Sequence, residues 1–158
     1  MKRGSTLFLK VVIFLIAVGV FAGLIWFPQT EGRATNLDLV SIYLDPVIIY
    51  VYIASIPFFV ALYQAFKLLG YIEQNKTFSQ FSVGALRNIK YCAIAIIGFI
   101  LIAEVFLIFW GQEDDKAGPM AFGIYTTFAS IVIATAVAVA QKLLQNAVDI
   151  KSENDLTV

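Results

Sequence analysis

The chain has 158 residues and no net formal charge, and 60% of its residues are hydrophobic while only 14% are charged. Soluble domains average about 45–50% apolar and about 25% charged residues, and a chain this short has no large core in which to bury the excess. The balanced charge gives no basic surface for nucleic acid. The chain has no histidine and a single cysteine, Cys92, so we expect neither an enzyme nor a metal or cofactor site.

The apolar excess is concentrated in four long segments, at residues 7–27, 46–68, 90–110 and 118–140. Each has roughly the 17–25 residues that an α-helix needs to cross a bilayer. The first segment is longer than the apolar part of a signal peptide, and no small-residue cleavage site follows it, so we interpret it as an uncleaved span. The sequence therefore predicts an all-α fold: one integral membrane four-helix bundle over residues 1–158, with spans running up, down, up and down.

The basic residues predict the orientation of these spans. Four spans place both termini on the same side of the membrane. If that side is the cytoplasm, nine lysine and arginine residues lie on the cytoplasmic side and two on the outer side. Because short cytoplasmic loops retain positive charge, we predict that both termini are cytoplasmic. Trp26 and Trp110 then fall at the outer border, where amphipathic rings prefer to lie. The inward residues are Lys2, Arg3, Lys10, Lys67, Lys76, Arg87, Lys90, Lys142 and Lys151, and the outward ones are Arg33 and Lys116.

The connections between spans differ on the two sides. An irregular polar connection is predicted over 28–45, with Asp45-Pro46 opening the second span, and a short acidic one follows the third span. On the cytoplasmic side, Thr77-x-x-Gln80 matches a capping box, so the third helix is predicted to begin near Ser79, before the lipid. The helical spacing of apolar residues over 141–150 extends the fourth helix in the same way. These extensions, of roughly 15 Å, form a small platform that carries the tail.

Two stripes of small residues are candidate packing surfaces, because helices in lipid associate through close contact of such residues. The first span contains Gly19-x-x-x-Gly23, and the fourth contains Ser130-x-x-x-Ala134-x-x-x-Ala138. Two interpretations stay open: homodimerisation along one stripe, or packing of that stripe within the bundle.

Glu104 is the acidic residue inside a span, and it lies roughly 9 Å below the outer border marked by Trp110. An ionised carboxylate at that depth is costly, so we expect the side chain to face the bundle interior and to be paired or protonated. Depth places Tyr50, Tyr52 and Tyr125 within its reach. The resulting intramembrane polar site is either a protonatable site on a ligand or ion path, or a structural hydrogen bond that fixes helix register.

The four spans, the segment NKTFSQFSVGALRNIKY and the ending ENDLTV resemble the bacterial membrane protein family catalogued as domain of unknown function 2975. The segment has the form N-K-x-F-S, then A-L-R-x-I and an aromatic residue, and the resemblance covers nearly the whole chain. It implies a multi-pass protein of the bacterial plasma membrane. Members are often encoded beside a small helix-turn-helix regulator, which implies a membrane partner that holds or releases that regulator.

Two functional hypotheses follow. In the first, a regulatory or anchoring protein binds a soluble partner through its cytoplasmic platform and the tail, residues 151–158. The tail is acidic and then β-prone, so it could add a strand to a sheet edge or offer its carboxylate; the alternative is a disordered chain end. The second hypothesis is a small transporter, or an immunity protein against a membrane-active toxin, that uses Glu104 and a helix kink at Pro57. The partner-binding residues of the tail are Glu153, Asn154, Asp155, Leu156, Thr157 and Val158.

Overall fold

The computed structural model describes residues 3–30, 38–111 and 116–157, and within them the chain is helical apart from short turns, with no strand. Four of the helices are long and apolar enough to cross a membrane. The prediction of an all-α fold with four spans is therefore confirmed. Residues 31–37 and 112–115, together with Met1, Lys2 and Val158, lie outside the described residues. The helices are α1 (Arg3–Thr30), α2 (Leu39–Tyr43), α3 (Pro46–Glu73), α4 (Gln80–Trp110) and α5 (Ala117–Leu156).

The four long helices pack side by side in chain order. Helix α1 packs on α3, α3 on α4, and α4 on α5 along the most extensive seam. Across the described ranges no extensive contact joins α1 to α5, so the predicted bundle is an open row. Neighbours run antiparallel, because Lys10 near the start of α1 pairs with Glu73 at the end of α3. Similarly, Glu104 near the end of α4 lies against Gly123 near the start of α5.

The row has two chemically different ends. We call one the lysine-rich end: it is formed by the start of α1, the end of α3, the start of α4 and the end of α5. The other end carries Trp26 and Trp110, whose side chains are 68% and 71% exposed. Exposed indole rings at a helix end are typical of a membrane–water interface. The lysines that mark the lysine-rich end are Lys10, Lys67, Lys90 and Lys142.

The helix surfaces are inverted relative to a soluble protein, since most of the large apolar side chains face outward. The residues buried on α4 and α5 are instead mostly small, among them Ala85 and Ala93 on α4 and Gly123 and Ser130 on α5. Small residues let helix backbones approach closely where lipid tails remove the hydrophobic drive to associate. Outward apolar surfaces and tight small-residue seams are what the bilayer environment requires.

The turn between α3 and α4 differs from the predicted capping box. Helix α3 ends in a Schellman motif: Asn75 takes a left-handed conformation with φ 58°, and the Lys76 amide donates to the Tyr71 carbonyl at 2.8 Å. Ser79 is the N-cap of α4, so the predicted start is confirmed, but Thr77 is not the cap. The hydroxyls of Ser79 and Ser82 both donate to the Lys76 carbonyl, at 2.5 and 2.9 Å.

The connection predicted as irregular over 28–45 is partly helical. Helix α1 continues through Pro28 to Thr30, and residues 39–43 form the short helix α2. The predicted opening of the second span is confirmed, because Asp45 caps α3 by accepting a hydrogen bond from the Val47 amide at 2.9 Å and Pro46 follows at the first helical position.

Candidate functional site

The structure does not bring the predicted intramembrane polar residues together. The Tyr50 hydroxyl donates to the Phe99 carbonyl of α4 at 2.5 Å, and the Tyr52 hydroxyl donates to a carbonyl of α1. Tyr125 is 75% exposed on the outer surface of α5. Glu104 has no hydrogen bond or ion pair to any described residue. The tyrosines therefore join helices to one another rather than forming a site around the carboxyl group.

Tyr52 has a specific structural task at the proline of α1. Pro28 has no amide hydrogen, so it cannot bond the carbonyl four residues earlier, which belongs to Leu24. The Tyr52 hydroxyl donates to this carbonyl at 2.8 Å. One residue further on, the Ile25 carbonyl accepts from the Tyr43 hydroxyl, also at 2.8 Å. A proline is tolerated in a membrane helix when a neighbouring helix satisfies the freed backbone group, and Tyr52 does so here.

Glu104 lies against the backbone of α5 at Gly123. A Cβ added to Gly123 would overlap the Glu104 Oε1 and would lie 2.8 Å from Cδ and 3.3 Å from Cγ. The carboxyl group therefore occupies the space that a side chain at this position would fill. The sequence predicted a carboxyl group that faces the bundle interior and is paired or protonated; among the described residues the structure gives it no partner and places it against a glycine, which a search for polar partners passes over.

The lysine-rich end contains an ion pair that joins α1 to α3. The Lys10 Nζ lies 2.5 Å from the Glu73 Oε2, and the two side chains are only 19% and 27% exposed. The ammonium group also lies 5.3 Å from the centroid of the Phe66 ring. The Thr6 hydroxyl, one turn before Lys10, is buried beside the same carboxylate. This cluster fixes α1 to α3 at the end where the two helices leave the apolar region.

The tail predicted as strand-forming or disordered is helical. Helix α5 has 40 residues and continues without interruption to Leu156, where the Thr157 hydroxyl donates to the Asn154 carbonyl at 3.0 Å. The half-buried Ala147 and Val148 are the last residues of α5 with a covered side, and every described residue from Asp149 onward is exposed. We call residues 149–157 the free end of α5. Helix propagation from a packed segment overrides the β-propensity of its last residues.

The free end is a negative pole. Asp149, Glu153 and Asp155 are opposed by Lys151 alone, and the last turn of α5 carries no basic residue. Acidic groups at a helix C-terminus add to the negative end of the macrodipole, which costs about 0.3–1 kcal/mol each at an exposed site. Ile150 and Leu156 are exposed on the same segment, at 59% and 84%. The tail residues predicted to bind a partner thus form an acidic helix end with two uncovered apolar side chains.

The two small-residue stripes have different surroundings. On α5, Ser130 is buried and Ala134 and Ala138 are half-buried, and among the described residues the only extensive seam of this helix is with α4. The α5 stripe therefore packs within the chain. On α1, Gly19 and Gly23 are exposed, and nothing lies within 4 Å of a Cβ added to either. The α1 stripe stays open to lipid or to a second copy.

A family model described as "Protein of unknown function (DUF2975)" matches residues 21–158. The chain belongs to this family. It is also 46% identical over 160 residues to the "Uncharacterized membrane protein YoaS" of Bacillus subtilis (strain 168), and the whole length of both chains is covered. No solved structure matches the chain. The resemblance seen in the sequence is confirmed, and with four membrane-length helices the chain is a multi-pass membrane protein.

The residues that carry the DUF2975 resemblance form helix ends in this chain. In the NKTFS segment, Asn75 supplies the left-handed residue that ends α3, and Ser79 supplies the N-cap that begins α4. The residues up to Leu156 in the ENDLTV ending complete the free end of α5. Both segments lie at the lysine-rich end, so the recognisable motifs of the DUF2975 chain are outside the apolar spans.

Proposed function

We propose that this DUF2975 protein is a non-enzymatic membrane anchor and regulator for a basic soluble partner, in particular a helix-turn-helix transcription regulator. The observation that carries the proposal is the continuous helix α5, which extends to Leu156 although the apolar span ends at residue 140. At 1.5 Å per residue, residues 141–156 reach about 24 Å beyond the span. The lysine excess at that end favours a cytoplasmic location for it and for both termini, in the bacterial plasma membrane.

Charge identifies the class of partner. The free end of α5 combines three carboxylates with the negative end of the helix dipole. A DNA-binding protein presents the opposite charge, because it carries lysine and arginine on the face that contacts phosphates. Binding of that face to the free end would hold the regulator at the membrane and away from DNA. Release would return it to the nucleoid.

The helical form of the free end decides the mode of recognition. An extended tail would add a strand to a sheet edge, whereas an exposed helix end places its side chains in a groove of the partner. Ile150 and Leu156 supply apolar contacts, and Glu153 lies between them on the helix surface, three residues from each. A partner surface that fits this segment therefore combines apolar contacts with a basic group opposite Glu153.

The test is binding of the full-length protein, in detergent micelles, to a purified small helix-turn-helix regulator of the class proposed here. Fluorescence anisotropy of the labelled regulator gives Kd at low and at physiological salt. We expect Glu153→Gln with Asp155→Asn to weaken binding about tenfold and to flatten its salt dependence, since each close charge pair steers and stabilises association. Regulated transcription in cells should change in parallel.

The matched control is Asp38→Asn, which removes an exposed acidic group at the opposite end of the row. Asp38 is the N-cap residue of α2 and makes no side-chain capping bond, so its replacement leaves the fold intact. Equal binding by the wild type and by a chain lacking residues 151–158 would contradict the proposal. So would an equal loss of affinity in the Asp38→Asn control.

A further inference from the structure

A cavity opens between α4 and α5 at the lysine-rich end. Its volume is about 290 Å³, close to the lower limit of roughly 300 Å³ for small-ligand pockets. It is open on one side, and it straddles the border where the uncharged part of each span ends. Its lining residues are Lys90, Ala138, Gln141, Lys142, Gln145 and Asn146.

The cavity is cationic and has no acidic lining residue. Within the described part of the chain, neither Lys90 nor Lys142 pairs with a carboxylate. The Lys90 ammonium lies 5.1 Å from the centroid of the Tyr91 ring. The nearby carboxylate of Asp149 accepts a hydrogen bond from the Gln145 Nε2 at 2.8 Å, one turn beyond Gln145 along α5. Two ammonium groups are therefore available to one anion.

A second observation points to a ligand. The Gln141 Oε1 is buried and accepts no hydrogen bond from any described residue. A buried acceptor without a donor is destabilising, so such a group is normally satisfied by a water or a ligand. Gln141 lines the same cavity as the two lysines, and because its Oε1 is enclosed, a rotation of the side chain presents this acceptor to a ligand in the cavity. The site thus offers the ammonium groups of Lys90 and Lys142 to an anion, and the Gln141 Oε1 to a hydrogen-bond donor of the same ligand.

We propose that this cavity binds the headgroup of an anionic phospholipid with a hydroxylated headgroup, such as phosphatidylglycerol. The phosphodiester lies between Lys90 and Lys142, and a headgroup hydroxyl donates to Gln141. An ammonium headgroup is a poorer donor here, because it would be placed beside two lysines. Basic pockets between membrane helices are a known setting for anionic headgroups.

The surroundings favour a lipid over a soluble phosphate ester. Val139 on α5 and Ile94 on α4 flank the cavity on the side of the span, and they are 54% and 50% exposed. Acyl chains attached to a headgroup in the cavity would lie along these apolar side chains.

Native mass spectrometry of the full-length protein in micelles tests the proposal, with phosphatidylglycerol, phosphatidylethanolamine and phosphatidylethanol as probes. Phosphatidylethanol carries the same phosphodiester charge but has no headgroup hydroxyl. We expect the wild type to bind phosphatidylglycerol most tightly. Lys90→Gln and Lys142→Gln should each weaken it about fivefold, the equivalent of ~1 kcal/mol per lysine.

Lys67→Gln is the matched control, because Lys67 also lies at the lysine-rich end and stacks over a tyrosine, 5.3 Å from the Tyr63 ring centroid, yet does not line the cavity. It should leave binding unchanged. Gln141→Leu is a second variant that keeps both lysines. It should abolish the preference for phosphatidylglycerol over phosphatidylethanol while leaving the affinity for phosphatidylethanol intact, provided circular dichroism shows wild-type helicity.

Three outcomes would overturn the proposal. Unchanged phosphatidylglycerol binding in both lysine variants would show that the cavity is not the site. An equal loss in Lys67→Gln would reduce the effect to general surface charge. Displacement of the lipid by inorganic phosphate or glycerol 1-phosphate at concentrations similar to that of the lipid would identify a soluble phosphate ester as the ligand instead.

Discussion

Gly123→Ala tests the placement of Glu104 against α5. The added methyl group would lie 2.8 Å from the Glu104 Cδ, whereas carbon atoms in contact prefer about 3.5–4.0 Å, so the carboxyl group or the helix must move by about 1 Å. Overpacking of this kind costs about 2 kcal/mol, and the better helix propensity of alanine returns about 1 kcal/mol. We expect a net loss of about 1 kcal/mol in the free energy of unfolding.

The Glu104→Ala background should reverse the sign of this effect. Glu104→Ala removes the three atoms nearest to the methyl group at position 123, so in this background Gly123→Ala should stabilise the protein by about 1 kcal/mol. The two values give a coupling energy of about 2 kcal/mol between the sites. Reversible unfolding in mixed detergent micelles, followed by circular dichroism or tryptophan fluorescence, measures each variant.

Gly98→Ala is the control for glycine replacement in a span. Gly98 lies on α4, and nothing lies within 4 Å of a Cβ added there, so its replacement should have the same effect with and without Glu104. Additive energies for Gly123→Ala and Glu104→Ala, within about 0.5 kcal/mol, would refute the contact between them.

Three further predictions use the same unfolding assay or hydrogen exchange. Tyr52→Phe should destabilise the protein by about 1–2 kcal/mol, because it leaves the Leu24 carbonyl without its donor in lipid. Tyr125→Phe is the control and should have no effect, since that side chain faces outward. Equal losses in the two variants would contradict the role given to Tyr52. Gly23→Leu should stabilise the monomer by up to about 1 kcal/mol, because leucine is a better helix former than glycine and the space beside it is open. A loss of stability would show that the α1 stripe is covered. Glu153→Lys should slow amide hydrogen exchange in the free end of α5 by about two- to fivefold, because it places a cation at the negative end of the helix dipole. Unchanged exchange would mean that charge does not limit the stability of this segment.

The four spans could be predicted from the sequence because a bilayer permits few alternatives. Each backbone group in lipid must be satisfied within its own helix, so long apolar segments are helical whatever their residue types. The end of the first span could not be predicted in the same way. Pro28 normally indicates a helix end, and here the donor that allows the helix to continue is Tyr52, which belongs to another helix and is distant in the sequence.

Glu104 shows a second limit. Depth along a helix follows from counting residues, whereas rotation about each helix axis does not. The Tyr50 hydroxyl bonds the α4 backbone at Phe99, five residues before Glu104, and Tyr125 faces outward. The residue that receives the carboxyl group is Gly123. A residue without a side chain gives no signal in a search for polar partners.

The open row of helices has a consequence for biogenesis. Each extensive seam joins helices that follow one another in the chain: α1 to α3, α3 to α4, and α4 to α5. A chain synthesised from its N-terminus can therefore complete each seam before the next span leaves the ribosome. No early helix has to wait for a late one, because α5 is not needed to cover α1. Insertion and folding can then proceed together, one hairpin at a time.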